Sequence, residues 1–298
     1  MKPPRPPGLP AERKGNPMVI DVHTHLNNYD ETQIVPVEKC LEQLQESMAY
    51  NKVDHAMVLT SYKVNEHRPS TAQVVKATEG LDNLHVVAGI SFENYRERDL
   101  REIADFLKDR RVVGLKLYPG YEPFYPYDKR CQVIYDLAME FDVPVMVHTG
   151  DTFNPKGKLR YSHPLNLDDV AVDNPGLKLV VCHIGNPWIR DCMEIVYKNK
   201  NVYADISGLV LGDFKSHFKK FMLQQVKEMI LYAGEPRYLL YGTDWPICRM
   251  RTYLKFVHEL GLPPANKEQI LWKNAARLFK LDIPDSNGEP DGSKAPVA

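Results

Sequence analysis

Apolar and polar positions along this chain follow two rhythms. Short runs rich in valine, isoleucine and leucine alternate with longer stretches in which apolar residues recur every three or four positions. The first rhythm predicts buried strands and the second amphipathic helices. Strand-like runs fall at 19–25, 55–60, 85–90, 112–118, 144–149, 177–183, 202–207 and 238–244. Helical spacing covers 37–50, 72–79, 99–110, 131–141, 165–174, 188–197, about 213–233, 250–260 and 266–280, with Asp99 expected as an N-cap. The runs are apolar on both alternating faces, as parallel strands covered by helices must be. Eight such β/α units predict an α/β chain, a single-domain (β/α)8 TIM barrel over 18–283. A doubly wound open sheet is the weaker alternative, since no G-x-G-x-x-G or phosphate loop follows any run.

The barrel is flanked by a proline-rich leader at 1–17 and a Pro/Gly/Ser/Asp-rich tail at 284–298. Both compositions resist regular structure, and both segments are expected to be mobile. Met18 directly before the first strand is an alternative start of translation.

Composition mainly narrows the class. A net charge of −1 offers no basic surface for nucleic acid or an anionic membrane. No apolar run has the length of a membrane span. The five cysteines, Cys40, Cys131, Cys182, Cys192 and Cys248, contain no C-x-x-C pair and suit a reduced, cytoplasmic setting. The expected partner is a small molecule, with a homodimer possible.

Polar residues at the strand ends carry the chemistry. In a barrel of this kind the site lies at the C-terminal ends of the strands. His23 and His25 alternate along the first strand, so their side chains share a face about 7 Å apart, a spacing that suits one divalent ion. An H-x-H pair alone is more often surface than ligand. Here Lys116 ends the fourth strand, His148 the fifth, His183 the sixth and Asp244 the eighth. Buried charges at so many strand ends are costly unless paired or metal-bound. His55 and His85 begin strands, at the opposite end; His67, His217 and His258 read as surface. His163 lies in the loop after the fifth strand, where it can face the pocket.

At this point the sequence resembles the amidohydrolase superfamily, in its amidohydrolase-related (amidohydrolase 2) branch of metal-dependent hydrolases. The resemblance rests on Asp21-Val-His-Thr-His25, Gly114-Leu-Lys-Leu117, Val147-His-Thr-Gly150, Cys182-His-Ile-Gly185, Tyr241-Gly-Thr-Asp-Trp-Pro246 and the helix Ile270–Phe279. It implies a divalent metal, Zn2+ for preference, held by His23, His25, His148 and Asp244. It implies His183 and Asp244 as the catalytic pair, acting on a small amide, ester or lactone through metal-activated water. The branch also contains decarboxylases of aromatic or unsaturated acids, and the superfamily contains metal-independent lactonases. Lys116 is either an ammonium that holds a substrate carboxylate, giving one metal per chain, or a carboxylated bridge between two. The ammonium is the expectation. Tyr118, His163, Trp188 and Trp245 are candidate pocket residues, and Lys156, Lys158, Arg160, Arg249 and Arg251 in the loops could attract an anionic substrate.

Overall fold

A computed structural model describes residues 17–283. The expected leader and tail therefore lie outside the described residues, apart from Pro17. Eight parallel strands pair in sequence order: β1 (Ile20–Thr24), β2 (His55–Leu59), β3 (Leu84–Gly89), β4 (Val112–Leu117), β5 (Val145–Val147), β6 (Leu179–Val181), β7 (Val202–Asp205) and β8 (Leu239–Leu240). Helices α1 (Val37–Asn51), α2 (Thr71–Ala77), α3 (Glu97–Lys108), α4 (Gln132–Glu140), α5 (Asn166–Asp173), α6 (Ile189–Lys198), α7 (Ser216–Ala233) and α8 (Met250–Glu259) connect the strands and follow the last. Two short helices, α9 (Pro264–Glu268) and α10 (Asn274–Phe279), are joined by a π turn at Gln269–Lys273. The architecture is the predicted single-domain (β/α)8 barrel.

The helices bury the faces that their spacing requires. On α3 Leu100, Ile103 and Leu107 point inward, one turn apart. Asp99 does not cap this helix from outside. It sits in the first turn, and its carboxylate accepts from the backbone N–H of Arg96, which closes a capping box. On α2, Ser70 and Gln73 form a similar box.

Strands β6 and β8 are much shorter than their apolar runs suggest. β6 ends at Val181, and His183 and Ile184 turn left-handed at φ 61° and 44°. β8 has two residues, and Asp244 is likewise left-handed at φ 69°. Closure of the barrel falls to the chain just beyond β8. Tyr241 O accepts from Val22 N–H at 3.0 Å, His23 O from Asp244 N–H at 2.8 Å, and Trp245 O from His25 N–H at 2.9 Å. No helix among the described residues is long and apolar enough to cross a membrane.

Candidate active site

β1 delivers two imidazoles into the C-terminal mouth, and the tight turn after β8 delivers a carboxylate to meet them. His25 donates its Nδ1–H to Leu59 O at 2.8 Å, which leaves Nε2 as a lone pair. That lone pair faces Asp244 Oδ1 at 3.1 Å, while His23 Nε2 lies 3.7 Å from the same oxygen. Acceptors this close repel one another unless a cation or a proton is shared among them. His23, His25 and Asp244 offer ligand atoms that all lie within 4.8 Å of one another. Two neutral imidazoles and a carboxylate suit a divalent ion.

Asp205, at the end of β7, organises this cluster. Its Oδ2 accepts from His23 Nδ1 at 2.9 Å, so the free nitrogen of His23 is Nε2. Its Oδ1 accepts from the backbone N–H groups of His183 and Ser207 at 2.9 and 3.0 Å, and from the Ser207 hydroxyl. Ser207 in turn accepts from His23 Nδ1 and His183 Nδ1 through its hydroxyl oxygen, at 3.0 and 2.8 Å. One carboxylate and one hydroxyl thus fix the orientation of two imidazoles. Asp205 was not anticipated, although an aspartate ending the run Val202-Tyr-Ala-Asp205 carried the same signal as Asp244 did. Asp21, also missed, accepts from the Thr243 hydroxyl at 2.6 Å and from the backbone N–H groups of Thr243 and His23, joining β1 to the turn after β8.

The electrostatics sort the groups into neutral rings and ionised carboxylates. Burial, aided by the Lys116 charge and opposed by Asp205, brings His23 down to about 4. Burial, His183 and Lys116 hold His148 well below the usual imidazole range, and burial lowers His183 too. Burial works against ionising Asp244, but His25, His23 and His183 outweigh it and hold the carboxyl well below the ordinary range. Asp205 is held low in the same way, chiefly by His23.

The remaining predicted residues divide. His183 joins the cluster, its ring 4.9 Å from that of His23. His148 stands at its edge, with its ring 5.1 Å from His183 and 4.7 Å from Tyr121. Its Nε2 donates to Asp151 O at 3.0 Å, so Nδ1 is its free nitrogen, and it lies outside the close group of three. Lys116 is buried with Nζ 2.7 Å from Cys182 Sγ and 5.3 Å from the Tyr118 ring centroid. A second group, His23, Cys182 and Asp205, also lies within 4.8 Å, but its histidine and carboxylate already satisfy each other.

Tyr118, buried, donates its hydroxyl to Thr60 O at 2.5 Å and packs on Tyr62, which with Tyr121 makes a tyrosine panel reaching His148. His163 and Trp188 pack on each other at 4.6 Å, and His163 Nε2 lies 3.8 Å from Asp191. Trp245 is half-buried beside the barrel seam. Arg249 is paired with Asp213 on the exposed surface. His55 and His85 stack at the starts of their strands, as expected, whereas His67 is buried rather than on the surface, because the β1 and β2 loops fold together over it: its carbonyl accepts from Asn28 N–H.

A parallel eight-stranded barrel with histidines and a carboxylate gathered at the strand C-termini defines a class of enzymes built around a strand-end polar site. The sequence model of the Amidohydro_2 family, described as amidohydrolase, matches residues 20–281, and the chain belongs to that family. It is similar to gamma-resorcylate decarboxylases from Polaromonas sp. (strain JS666 / ATCC BAA-500), at 27% identity over 36% of each chain, and from Rhodococcus jostii (strain RHA1), at 23% over 55% of each. The matches thus span about a third to a little over half of these curated relatives. Among solved structures, a dihydroxybenzoic acid decarboxylase from Polaromonas sp. JS666, with bound manganese and the inhibitor 2-nitroresorcinol, superposes with TM-score 0.63 at 15% identity, covering 91% of this chain and 99% of that one.

Proposed function

We propose that this enzyme is a metal-dependent, non-oxidative decarboxylase of a hydroxylated aromatic acid. The observation that carries the reading is the tyrosine panel of Tyr62, Tyr118 and Tyr121, which flanks the imidazoles and suits a flat phenolic substrate. The activities named for the curated relatives support the same choice.

His23, His25 and Asp244 would hold the ion, Mn2+ or Zn2+, and His148 would complete the set once its ring releases Asp151. The ion supplies a Lewis acid for the carboxylate and phenolic oxygens of the substrate. Lys116 has no carboxylate within 4.0 Å among the described residues, so its charge is available to the substrate's carboxylate. The ring carbon that loses CO2 must gain one proton. His183, whose Nδ1 is engaged by Ser207, has Nε2 left to hold and deliver that proton. Trp188, His163 and Trp245 are assigned to the outer pocket.

Hydrolysis of a small ester, amide or lactone is the second reading. The position of Asp244 favours it, with Oδ1 3.1 Å from His25 Nε2, because a carboxylate there can take a proton from an attacking water. One experiment separates the two. Protein loaded with Mn2+ or Zn2+ is given a panel of hydroxybenzoates and a panel of lactones and esters, with CO2 release and acid release measured in parallel. CO2 from a hydroxybenzoate is the expected result; acid release without CO2 transfers the assignment to hydrolysis. His148→Ala should lower both turnover and metal affinity, and a variant that keeps both removes His148 from the ligand set.

A further inference from the structure

Cys182 has no part in the proposed reaction but is in contact with Lys116. Lys116 comes from β4 and Cys182 from the turn after β6, yet Nζ and Sγ are in contact at 2.7 Å. Lys116 is 1% exposed and Cys182 fully buried. Buried ammonium groups are ordinarily paired with a carboxylate, and among the described residues this one is not. Its side chain is aimed at sulfur instead. The Thr149 hydroxyl donates to Cys182 O at 2.5 Å and holds the cysteine backbone in place, so the two reacting atoms are pre-positioned on rigid elements. All five cysteines are free, so Cys182 is not already held in a disulfide.

We propose that Lys116 Nζ and Cys182 Sγ are a modification site, joined by a single bridging oxygen when the protein meets hydrogen peroxide. A first peroxide oxidises the thiol to a sulfenic acid and leaves as water. Lys116 releases its ammonium proton to solvent. A second peroxide then takes two electrons from the amine as the nitrogen–oxygen bond forms to the sulfenic oxygen. The hydrogens lost from nitrogen and oxygen leave in two waters. The product is N–O–S, with sulfur at the sulfenate level and nitrogen at the hydroxylamine level. Two equivalents of dithiothreitol return the amine, the thiol and one water. The contact distance suits an inserted oxygen, because a direct N–S bond would need the two strands to draw closer together.

The bridge removes a positive charge from beside the imidazoles. Loss of turnover on bridging rests on the proposed role of Lys116, but the bridge itself is read by mass and does not. The full-length protein is treated with hydrogen peroxide and digested, and the peptides containing residues 116 and 182 are sought as one species. The expected species carries one added oxygen and two fewer hydrogens, increases several-fold over the untreated sample and disappears with dithiothreitol. Cys40, Cys131, Cys192 and Cys248, also buried and with no lysine donating to them, serve as internal controls. Separate peptides with Cys182 unmodified or oxidised to sulfinic acid overturn the proposal, as does a cross-link without the oxygen. Lys116→Arg must abolish the species; if that variant does not fold, the wild-type mass and its reversal decide alone.

Discussion

Asp205 and Gly208 both act on the imidazoles, one by bonding and the other by leaving space. Asp205→Asn keeps the volume but loses the charge that orients His23 and braces His183. Removing such an outer partner costs about 10–100-fold in metal affinity or activity. The expected result is a loss in that range, measured by competitive chelator titration and by kcat, with the fold retained by circular dichroism; unchanged metal affinity would count against the orienting role. At Gly208, φ is +62°, and an added Cβ would lie 2.5 Å from His183 Nδ1 and 3.0 Å from Asp244 Oδ2. Gly208→Ala should cost about 1–2 kcal/mol in stability from the left-handed backbone, and about a hundredfold in turnover from the displaced ring. Wild-type kinetics would show that the ring has room to retreat.

The residue scale was partly legible in the sequence. His23, His25, His183 and Asp244 stand out because each is a polar group at the end of an apolar run. Asp205 carries the same mark, but its run Val202-Tyr-Ala-Asp205 has none of the flanking motif that sets off Asp244 in Tyr241-Gly-Thr-Asp-Trp-Pro246. The burial of His67 was not legible, because it depends on two loops meeting, a contact with no local pattern.

Among the elements, the strands were readable and several of their ends were not. His183, Ile184 and Asp244 adopt left-handed conformations that glycine or asparagine usually signals. The tertiary bonds of the seam and of Asp205 impose those conformations, so local sequence could not announce them. The starts of β2 and β3 carry a separate pH response. His55 and His85 lie 3.2 Å apart, and burial, with the His55 and Arg110 charges adding, pushes His85 down to about 4. Between about pH 6.5, the ordinary imidazole value, and pH 4, the unfolded chain takes up a proton that folded His85 refuses. Stability therefore falls as pH falls through that window. His85→Gln should flatten the decline by up to about 1.4 kcal/mol per pH unit, read from urea unfolding at a series of pH values; a slope parallel to wild type would refute it.

For the molecule as a whole, the proposed ion links stability to activity. Dialysis against a chelator should abolish turnover, and adding Mn2+ or Zn2+ should restore it. An ion at a hundred times its dissociation constant adds about 2.7 kcal/mol to the folded state, so the melting temperature should fall with the chelator and recover with the ion. Activity and melting temperature untouched by a chelator that strips the protein of metal would refute the ligand assignment.

The seam of the barrel has a consequence for biosynthesis. The backbones of His23 and His25 bond to those of Asp244 and Trp245, so the same residues close the barrel and supply the proposed ligands. During translation the two histidines leave the ribosome 219 positions ahead of the aspartate, counting from His25 to Asp244. A nascent chain arrested before β8 has the imidazoles but neither the carboxylate nor the closing bonds. On the proposed ligand set, ion capture waits until β1 meets the turn after β8, and a chain stalled before that turn lacks part of the site.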